Sequence, residues 1–154
     1  MARVVPILDE QSLKRLGSPA EAEVYRRCKE LPNEYLVLFS FPWIDLTPTG
    51  IRRDGETDFI VFHPQKGILF VEVKGGGISM DPTHNCWTSR NRKGQENSIK
   101  NPFRQAHDCK YAFLNHLKED EEWSHLGMRP LMGHAVLLPD ITDASPNAVK
   151  SFGP

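Results

Sequence analysis

Two apolar segments joined by a short polar turn constrain the fold of this chain most strongly. Residues 57–63 (TDFIVFH) and 68–74 (ILFVEVK) are rich in β-branched and aromatic residues, and the PQKG between them, residues 64–67, is turn-forming. The pattern predicts a β-hairpin. Alternate residues make a second face of the hairpin apolar as well: Phe59, Val61, Leu69, Val71 and Val73. We therefore expect both strands to be buried on both sides, in the middle of a sheet.

Charged residues interrupt this apolar hairpin at one end. With a turn centred near Gln65, Asp58 falls opposite Glu72, and Lys74 lies two residues beyond Glu72 on the same face. Desolvating each carboxylate costs on the order of several kcal/mol, so a positive charge is required beside them. A hard divalent cation with oxygen ligands is the simplest partner. Such a metal would polarise a phosphoryl oxygen and lower the pKa of a bound water, which Lys74 would orient for attack.

Two features near this site have alternative interpretations. A Glu-x-Lys triplet is common by chance, and a solvated strand face with a Glu72–Lys74 pair is the structural alternative to a metal site. The run Gly75-Gly76-Gly77 is either a flexible connection or a place where backbone approaches a bulky ligand such as a phosphodiester chain.

The remaining elements predict the order helix, three strands, helix, strand. Ser18 followed by Pro19 and Glu21 predicts the start of a helix that runs to about Leu31. Asn101-Pro102 predicts the start of the second long helix, which ends in the charged run at residues 119–122. The other predicted elements are a strand at 35–41 ended by Pro42, a loop or irregular strand at 43–55, short strands at 78–80 and 86–89, and a strand at 133–138.

Composition indicates one globular domain, with 39% hydrophobic residues and a formal net charge of -1. Attraction to phosphate must therefore come from local clustering of charge. One segment, residues 90–110, is cationic, because it has only two acidic residues, Glu96 and Asp108. It is predicted either to follow a nucleic-acid backbone or to be a solvated surface. Its basic residues are Arg90, Arg92, Lys93, Lys100, Arg104 and Lys110. Trp87 within it would either stack on a base or belong to the core.

Several other classes of site and location are disfavoured. Cys28, Cys86 and Cys109 are odd in number and form no CxxC pair, which indicates free thiols. The apolar runs are too short to cross a membrane, and the N-terminus lacks a signal-peptide pattern, so we expect a cytoplasmic protein without a membrane partner. The sequence has no Walker, GxSxG or GxGxxG motif and no paired His/Cys set for zinc.

Asp58 followed by Glu72-Val73-Lys74 resembles the D…(D/E)xK signature of the PD-(D/E)xK nuclease superfamily. Within it the chain resembles the nuclease-related domain, NERD, over residues 17–139. The supporting segments are SPAE at 18–21, GETDF at 55–59, GILFVEVKG at 67–75, Trp87 and NPFRQA at 101–106. The resemblance implies an α/β fold with a restriction-endonuclease-like αβββαβ core, in which helices flank a central mixed sheet. Thr57 stands where the superfamily signature has proline, which is not a ligand.

The resemblance also implies roles for individual residues. Asp58, Glu72 and the Val73 carbonyl would bind Mg²⁺ or Mn²⁺, and Lys74 would position the water. Glu21 matches the first-helix glutamate that reaches the site, although as the third residue after Ser18 it also fits a capping box; Glu23 is the neighbour that could replace it. Gln105 matches the glutamine that supports the lysine or the substrate, and a solvated polar position is its alternative.

These observations give three functional hypotheses for the chain. The first is a metal-dependent nuclease that hydrolyses phosphodiester bonds of DNA. The second is a nucleic-acid-binding or targeting module with little cleavage activity, attached to or working with a helicase, and the third is a scaffold domain. The expected organisation is an N-terminal extension at 1–16, the nuclease-like domain at 17–139, and a tail or truncated continuation at 140–154.

Overall fold

The computed structural model describes residues 1–46, 49–50, 52–127 and 129–141. Its helices are α1 (Glu10–Arg15), α2 (Pro19–Glu30), α3 (Pro102–Glu119) and α4 (Glu121–Leu126). Its strands are β1 (Arg3–Val5), β2 (Leu36–Leu46), β3 (Arg52–His63), β4 (Gly67–Val73), β5 (Gly77–Asp81), β6 (Cys86–Arg90), β7 (Glu96–Ile99) and β8 (Met132–Leu137).

Five strands form a mixed sheet in the order β1-β2-β3-β4-β8. The outer pairs β1–β2 and β4–β8 are parallel, whereas β2–β3 and β3–β4 are antiparallel. The elements α2, β2, β3, β4, α3 and β8 follow one another in the αβββαβ order, with helices flanking the sheet. The predicted α/β fold with a restriction-endonuclease-like core is confirmed.

The central hairpin is apolar on both sides, as its sequence predicts. Phe59 and Val71 join a core cluster with residues of α2, among them Tyr25. Ile60 and Phe70, which point the opposite way, pack with Cys109 of α3 in a second cluster. Because each face of β3 and β4 is covered by a helix, these two strands are held rigidly on both sides.

Both predicted helix starts are confirmed by their caps. The Ser18 hydroxyl accepts a hydrogen bond from the Glu21 N–H at 3.2 Å, with Pro19 at the first helical position. The Asn101 side chain accepts from the N–H groups of Phe103 and Arg104. Each cap satisfies donors that the first helical turn leaves free, which fixes where α2 and α3 enter the domain.

The prediction that the strand at 35–41 ends at Pro42 is wrong. β2 continues to Leu46 and pairs with β3, which begins at Arg52, so the segment 43–55, predicted to be a loop or an irregular strand, is mostly strand. β1 covers β2 only at Leu36–Leu38. At Pro42 the outer edge of β2 has no strand partner among the described residues, so the missing N–H interrupts no ladder on that side.

Several elements were not predicted from the sequence. β1 forms the edge of the main sheet from within residues 1–16, and α1 follows it. The short strands predicted at 78–80 and 86–89 are confirmed as β5 and β6, but β7 joins them in a separate three-stranded sheet. α4 begins directly after α3 because Asp120 caps it, accepting the Trp123 N–H at 2.7 Å. Most of the predicted tail, residues 142–154, lies outside the described residues.

The three cysteines are free thiols, as predicted: Cys28 and Cys109 are buried, and Cys86 is exposed. Among the described residues, no helix combines the length and apolar character needed to cross a membrane.

The glycine run after β4 connects the two sheets, and its backbone lies very close to neighbouring elements. A Cβ on Gly75 would lie 2.9 Å from the Ala20 Cβ, and one on Gly76, whose φ is +81°, would lie 2.4 Å from the Arg90 carbonyl oxygen. The sequence left open a flexible connection or an approach to a bulky ligand, and the structure brings the backbone of Gly75 and Gly76 close to Ala20 and Arg90 of the protein itself.

Replacing Gly76 by alanine should destabilise the protein by roughly 2–4 kcal/mol, because the new methyl group meets rigid backbone as well as an unfavourable φ. Gly94→Ala is the matched control, since Gly94 has φ +79° with open space around it, and it should cost only about 1 kcal/mol. Urea unfolding monitored by circular dichroism would measure both. Equal losses of stability would contradict the close contact.

Candidate functional site

The end of the central hairpin brings Asp58 and Glu72 together. The β3–β4 register ends at the pair Phe59↔Val71, and Asp58 and Glu72 are the next residues on their strands. The Asp58 Oδ2 atom accepts a hydrogen bond from the Val73 N–H at 2.7 Å. This bond ties the first carboxylate to the backbone beside the second, so the two are positioned by the strands themselves.

Glu72 is only 2% exposed, and its two carboxylate oxygens have different surroundings. Oε1 accepts a hydrogen bond from the Lys74 Nζ at 2.6 Å. Oε2 is buried and has no hydrogen-bond partner among the described residues. Burial, followed by the charge of Asp58, raises the pKa of Glu72 to about 7, while Lys74 opposes the rise.

Asp58 shares this unfavourable environment. Burial raises the pKa of its carboxyl group, and the nearby charge of Glu56 adds to the rise. The Val73 N–H and the Lys74 ammonium act in the opposite direction. One lysine therefore serves two carboxylates, of which Glu72 is buried and Asp58 is partly buried, and this leaves the site short of positive charge.

Glu21 reaches the same site from the first turn of α2. It is partly buried, and burial followed by the charge of Asp58 raises the pKa of its carboxyl group, against the effects of Ser18 and Lys74. Its backbone N–H is the one that Ser18 caps, so this residue belongs both to the cap and to the charge cluster. Glu23, the alternative to Glu21, instead forms an exposed ion pair with Arg27 at 3.1 Å.

Gln105 lies near the start of α3, one turn before Cys109 on the same helix face. Because β4 and β8 are parallel and α3 connects back between them, the start of α3 lies toward the carboxyl end of β4. Burial, and more weakly the charges of Glu72 and Asp58, raise the pKa of the Cys109 thiol. The Gln105 Oε1 atom is buried without a partner among the described residues, which argues against the solvated alternative.

The donor set fits a hard divalent cation. Two carboxylates, Asp58 and Glu72, could hold the metal together with the Val73 carbonyl, and the partnerless Glu72 Oε2 offers an oxygen to it. Within the described part of the chain, no group of three or more His, Cys, Asp or Glu side chains is arranged to hold a metal ion. The proposed ligand set therefore depends on two carboxylates and a main-chain oxygen.

The predicted cationic residues lie around the second sheet and the start of α3. Arg92 lines a cleft of about 320 Å³ that also includes Ser18 and Gly75, directly after Lys74 in the chain. Lys93 and Lys100 are exposed. Two members of the set interact with acidic neighbours: Arg90 pairs with Glu96, and the Arg104 Nε lies 3.9 Å from an Asp108 oxygen. Arg92 thus shares a cleft with the residue that follows Lys74.

Trp87 belongs to the core, which settles its two alternatives. The side chain is 4% exposed, and its ring packs against Phe103 with 5.7 Å between centroids. The residue therefore joins β6 to α3 rather than offering a free ring face to a base.

Four residues near the site were not singled out from the sequence: Ser40, Glu56, Cys109 as a neighbour of the carboxylates, and Asp140. The β2–β3 register pairs Phe39 with Phe59 and Phe41 with Thr57. Ser40, which has φ +55°, therefore lies between these pairs, across from Asp58. Its hydroxyl donates to Glu56. Asp140 accepts the Gly76 N–H at 2.7 Å. Only Glu56, two residues before Asp58, carried a signal in the sequence.

The burial of Glu72 predicts a pH dependence of stability in the metal-free protein. The raised pKa means that the folded state binds more protons than the unfolded state between the ordinary value of 4.5 and about 7. The free energy of unfolding should therefore fall as pH rises through this window, by up to about 3 kcal/mol. Urea titrations at several pH values would measure the slope. Glu72→Gln should flatten it, and an unchanged slope in that variant would contradict the assignment.

Comparison with known proteins places this geometry in a family. The sequence model of the nuclease-related domain, NERD, matches residues 16–138, which include Glu21, both hairpin carboxylates, Lys74 and Gln105. No curated protein and no solved structure matches the chain. Because the match covers most of the sequence and contains the whole charge cluster, the chain belongs to the nuclease-related domain family.

Proposed function

We propose that the protein is a metal-dependent nuclease that hydrolyses phosphodiester bonds of DNA. The observation that carries this proposal is the buried Glu72 carboxylate, which has one oxygen on Lys74 and the other without a partner among the described residues. Such an arrangement is unfavourable for an ionised carboxylate unless a cation completes it. Membership of the nuclease-related family agrees with this function.

Asp58, Glu72 and the Val73 carbonyl would hold the ion, Mg²⁺ or Mn²⁺. When bound, the ion would supply Lewis-acid polarisation of a phosphoryl oxygen. The hydrogen bond from the Val73 N–H fixes the Asp58 carboxylate in advance. This preorganisation limits the rearrangement needed when substrate arrives.

The remaining residues of the site bind water or hold protons. The Lys74 side chain is 23% exposed and its Nζ lies 2.6 Å from Glu72, so its ammonium can orient a water beside the two carboxylates. Glu21, with its raised pKa, can exchange a proton with that water. Gln105 offers an amide from α3 to Lys74 or to the substrate.

The cleft lined by Arg92 supports a nucleic-acid substrate. It includes Gly75, immediately after Lys74, and its lining holds one cation, Arg92, and one carboxylate, Asp140, which accepts the Gly76 N–H. The exposed residues Lys93 and Lys100 extend the cationic surface beyond it. A phosphate backbone lying along this cleft would pass the end of β4, where the carboxylates are.

Incubation with supercoiled plasmid and with single-stranded DNA should give cleavage in Mg²⁺ or Mn²⁺ and none in EDTA. Asp58→Asn, Glu72→Gln and Lys74→Met should each lower the rate by about 100-fold or more, because each removes a group that acts at the reacting phosphate. Agarose gels and end-labelled oligonucleotides would measure the rates.

Matched controls are Glu30→Gln and Lys14→Met, which remove exposed charges on α2 and α1 and should cleave at the wild-type rate. Cleavage in EDTA, or cleavage unaffected by Lys74→Met, would overturn the proposal. Salt-dependent DNA binding without cleavage in either metal would instead favour a targeting module.

A further inference from the structure

A second cavity lies well away from the hairpin carboxylates. It has a volume of about 710 Å³ and is lined by residues of α3, α4 and the segment before β8. One lining residue, Met132, pairs with Ile68 at the start of β4, whereas Glu72 pairs with Val136. Four residues of strand, about 13 Å, therefore separate the level of this cavity from the level of the carboxylates.

One face of α3 and the start of α4 form the wall of the cavity. Lys110, Tyr111, Leu114 and Lys118 recur at the spacing of one helix face and all line the cavity. Asp120 accepts the Trp123 N–H at 2.7 Å, and the Ser124 hydroxyl donates to the Lys118 carbonyl at 3.2 Å. These bonds fix the start of α4, which carries Trp123, next to the end of α3.

The lining is cationic. It contains Lys110, Lys118 and Arg129 and no carboxylate. Across the described ranges, none of these three side chains forms an ion pair with an acidic residue. The Lys110 Nζ instead lies 3.2 Å from the His134 Nδ1 and 4.8 Å from the centroid of the Tyr111 ring.

Acidic residues occur nearby but outside the cavity. Glu119, Glu121 and Glu122, at the junction of α3 and α4, are exposed and absent from the lining. The cavity therefore combines three cations with two aromatic rings, those of Tyr111 and Trp123, and Tyr111 is 46% exposed.

We propose that this cavity binds a nucleotide, with the base against Tyr111 or Trp123 and the phosphate among Lys110, Lys118 and Arg129. Its volume lies within the range of small-molecule sites. An aromatic ring stacks on a base of any sequence, and clustered ammonium and guanidinium groups bind phosphate. The ligand is a phosphorylated nucleoside, either free in solution or the terminal unit of a strand.

Titration with adenosine 5′-monophosphate in EDTA, followed by calorimetry and tryptophan fluorescence, tests the proposal without any metal-dependent step. The nucleotide should bind, and adenosine or inorganic phosphate alone should bind at least roughly tenfold more weakly. Lys118→Met and Trp123→Leu should each weaken binding roughly tenfold, because they remove a phosphate contact and a stacking surface. Lys14→Met, an exposed lysine on α1, should bind as the wild type does.

A parallel titration with a 5′-phosphorylated tetradeoxynucleotide separates the two sources. Binding of the free nucleotide supports a mononucleotide site, and binding of the oligonucleotide alone, weakened by Lys118→Met, supports a site for a strand end. Failure of both ligands to bind, or binding that both variants leave unchanged, overturns the proposal.

Two controls keep this result interpretable. If thermal melting shows that Trp123→Leu is unfolded, the exposed Lys118 carries the test. Asp58→Asn should bind the nucleotide as the wild type does, so a failure of nuclease activity and a failure of this site are distinguishable.

Discussion

The structure depends on a buried carboxylate, one oxygen of which has no hydrogen-bond partner among the described residues. Glu72 is 2% exposed, its Oε1 is held by Lys74 at 2.6 Å, and Asp58 lies across the hairpin with its own charge. Exposing one Glu72 oxygen to water would relieve the repulsion between Glu72 and Asp58. However, β4 cannot rotate, because Phe70 on one face and Val71 on the other are packed in different core clusters. The apolar packing of the hairpin thus stabilises the domain and enforces an electrostatic strain at its end.

Other elements adjust to this hairpin. The caps at Ser18 and Asn101 set where α2 and α3 begin, and the first of them places Glu21 close enough to Asp58 and Glu72 for their charges to interact. Gly75 and Gly76 bring the second sheet against the start of α2, so that Arg92 lines a cleft beside the site. The charge cluster and the cleft that contains Arg92 are therefore consequences of the same close packing.

The sequence predicts the hairpin, both long helices and the position of β8, because each depends on local patterns of apolar residues, turns and caps. It fails where pairing partners decide the outcome. Pro42 reads as the end of a strand, yet β2 continues because only β3 pairs with it there. β1, far from β2 in sequence, is too short to show a pattern of its own. Likewise Ser40 and Asp140 approach the site only through tertiary contacts.

Direct measurement of Mn²⁺ binding best tests the proposal that Asp58 and Glu72 together hold a divalent cation. Calorimetry and electron paramagnetic resonance of the metal-stripped protein should show a site that is at least about tenfold weaker in Asp58→Asn and in Glu72→Gln. Glu30→Gln should leave it unchanged. Mn²⁺ binding of equal strength in the wild type and in both hairpin variants would contradict the account.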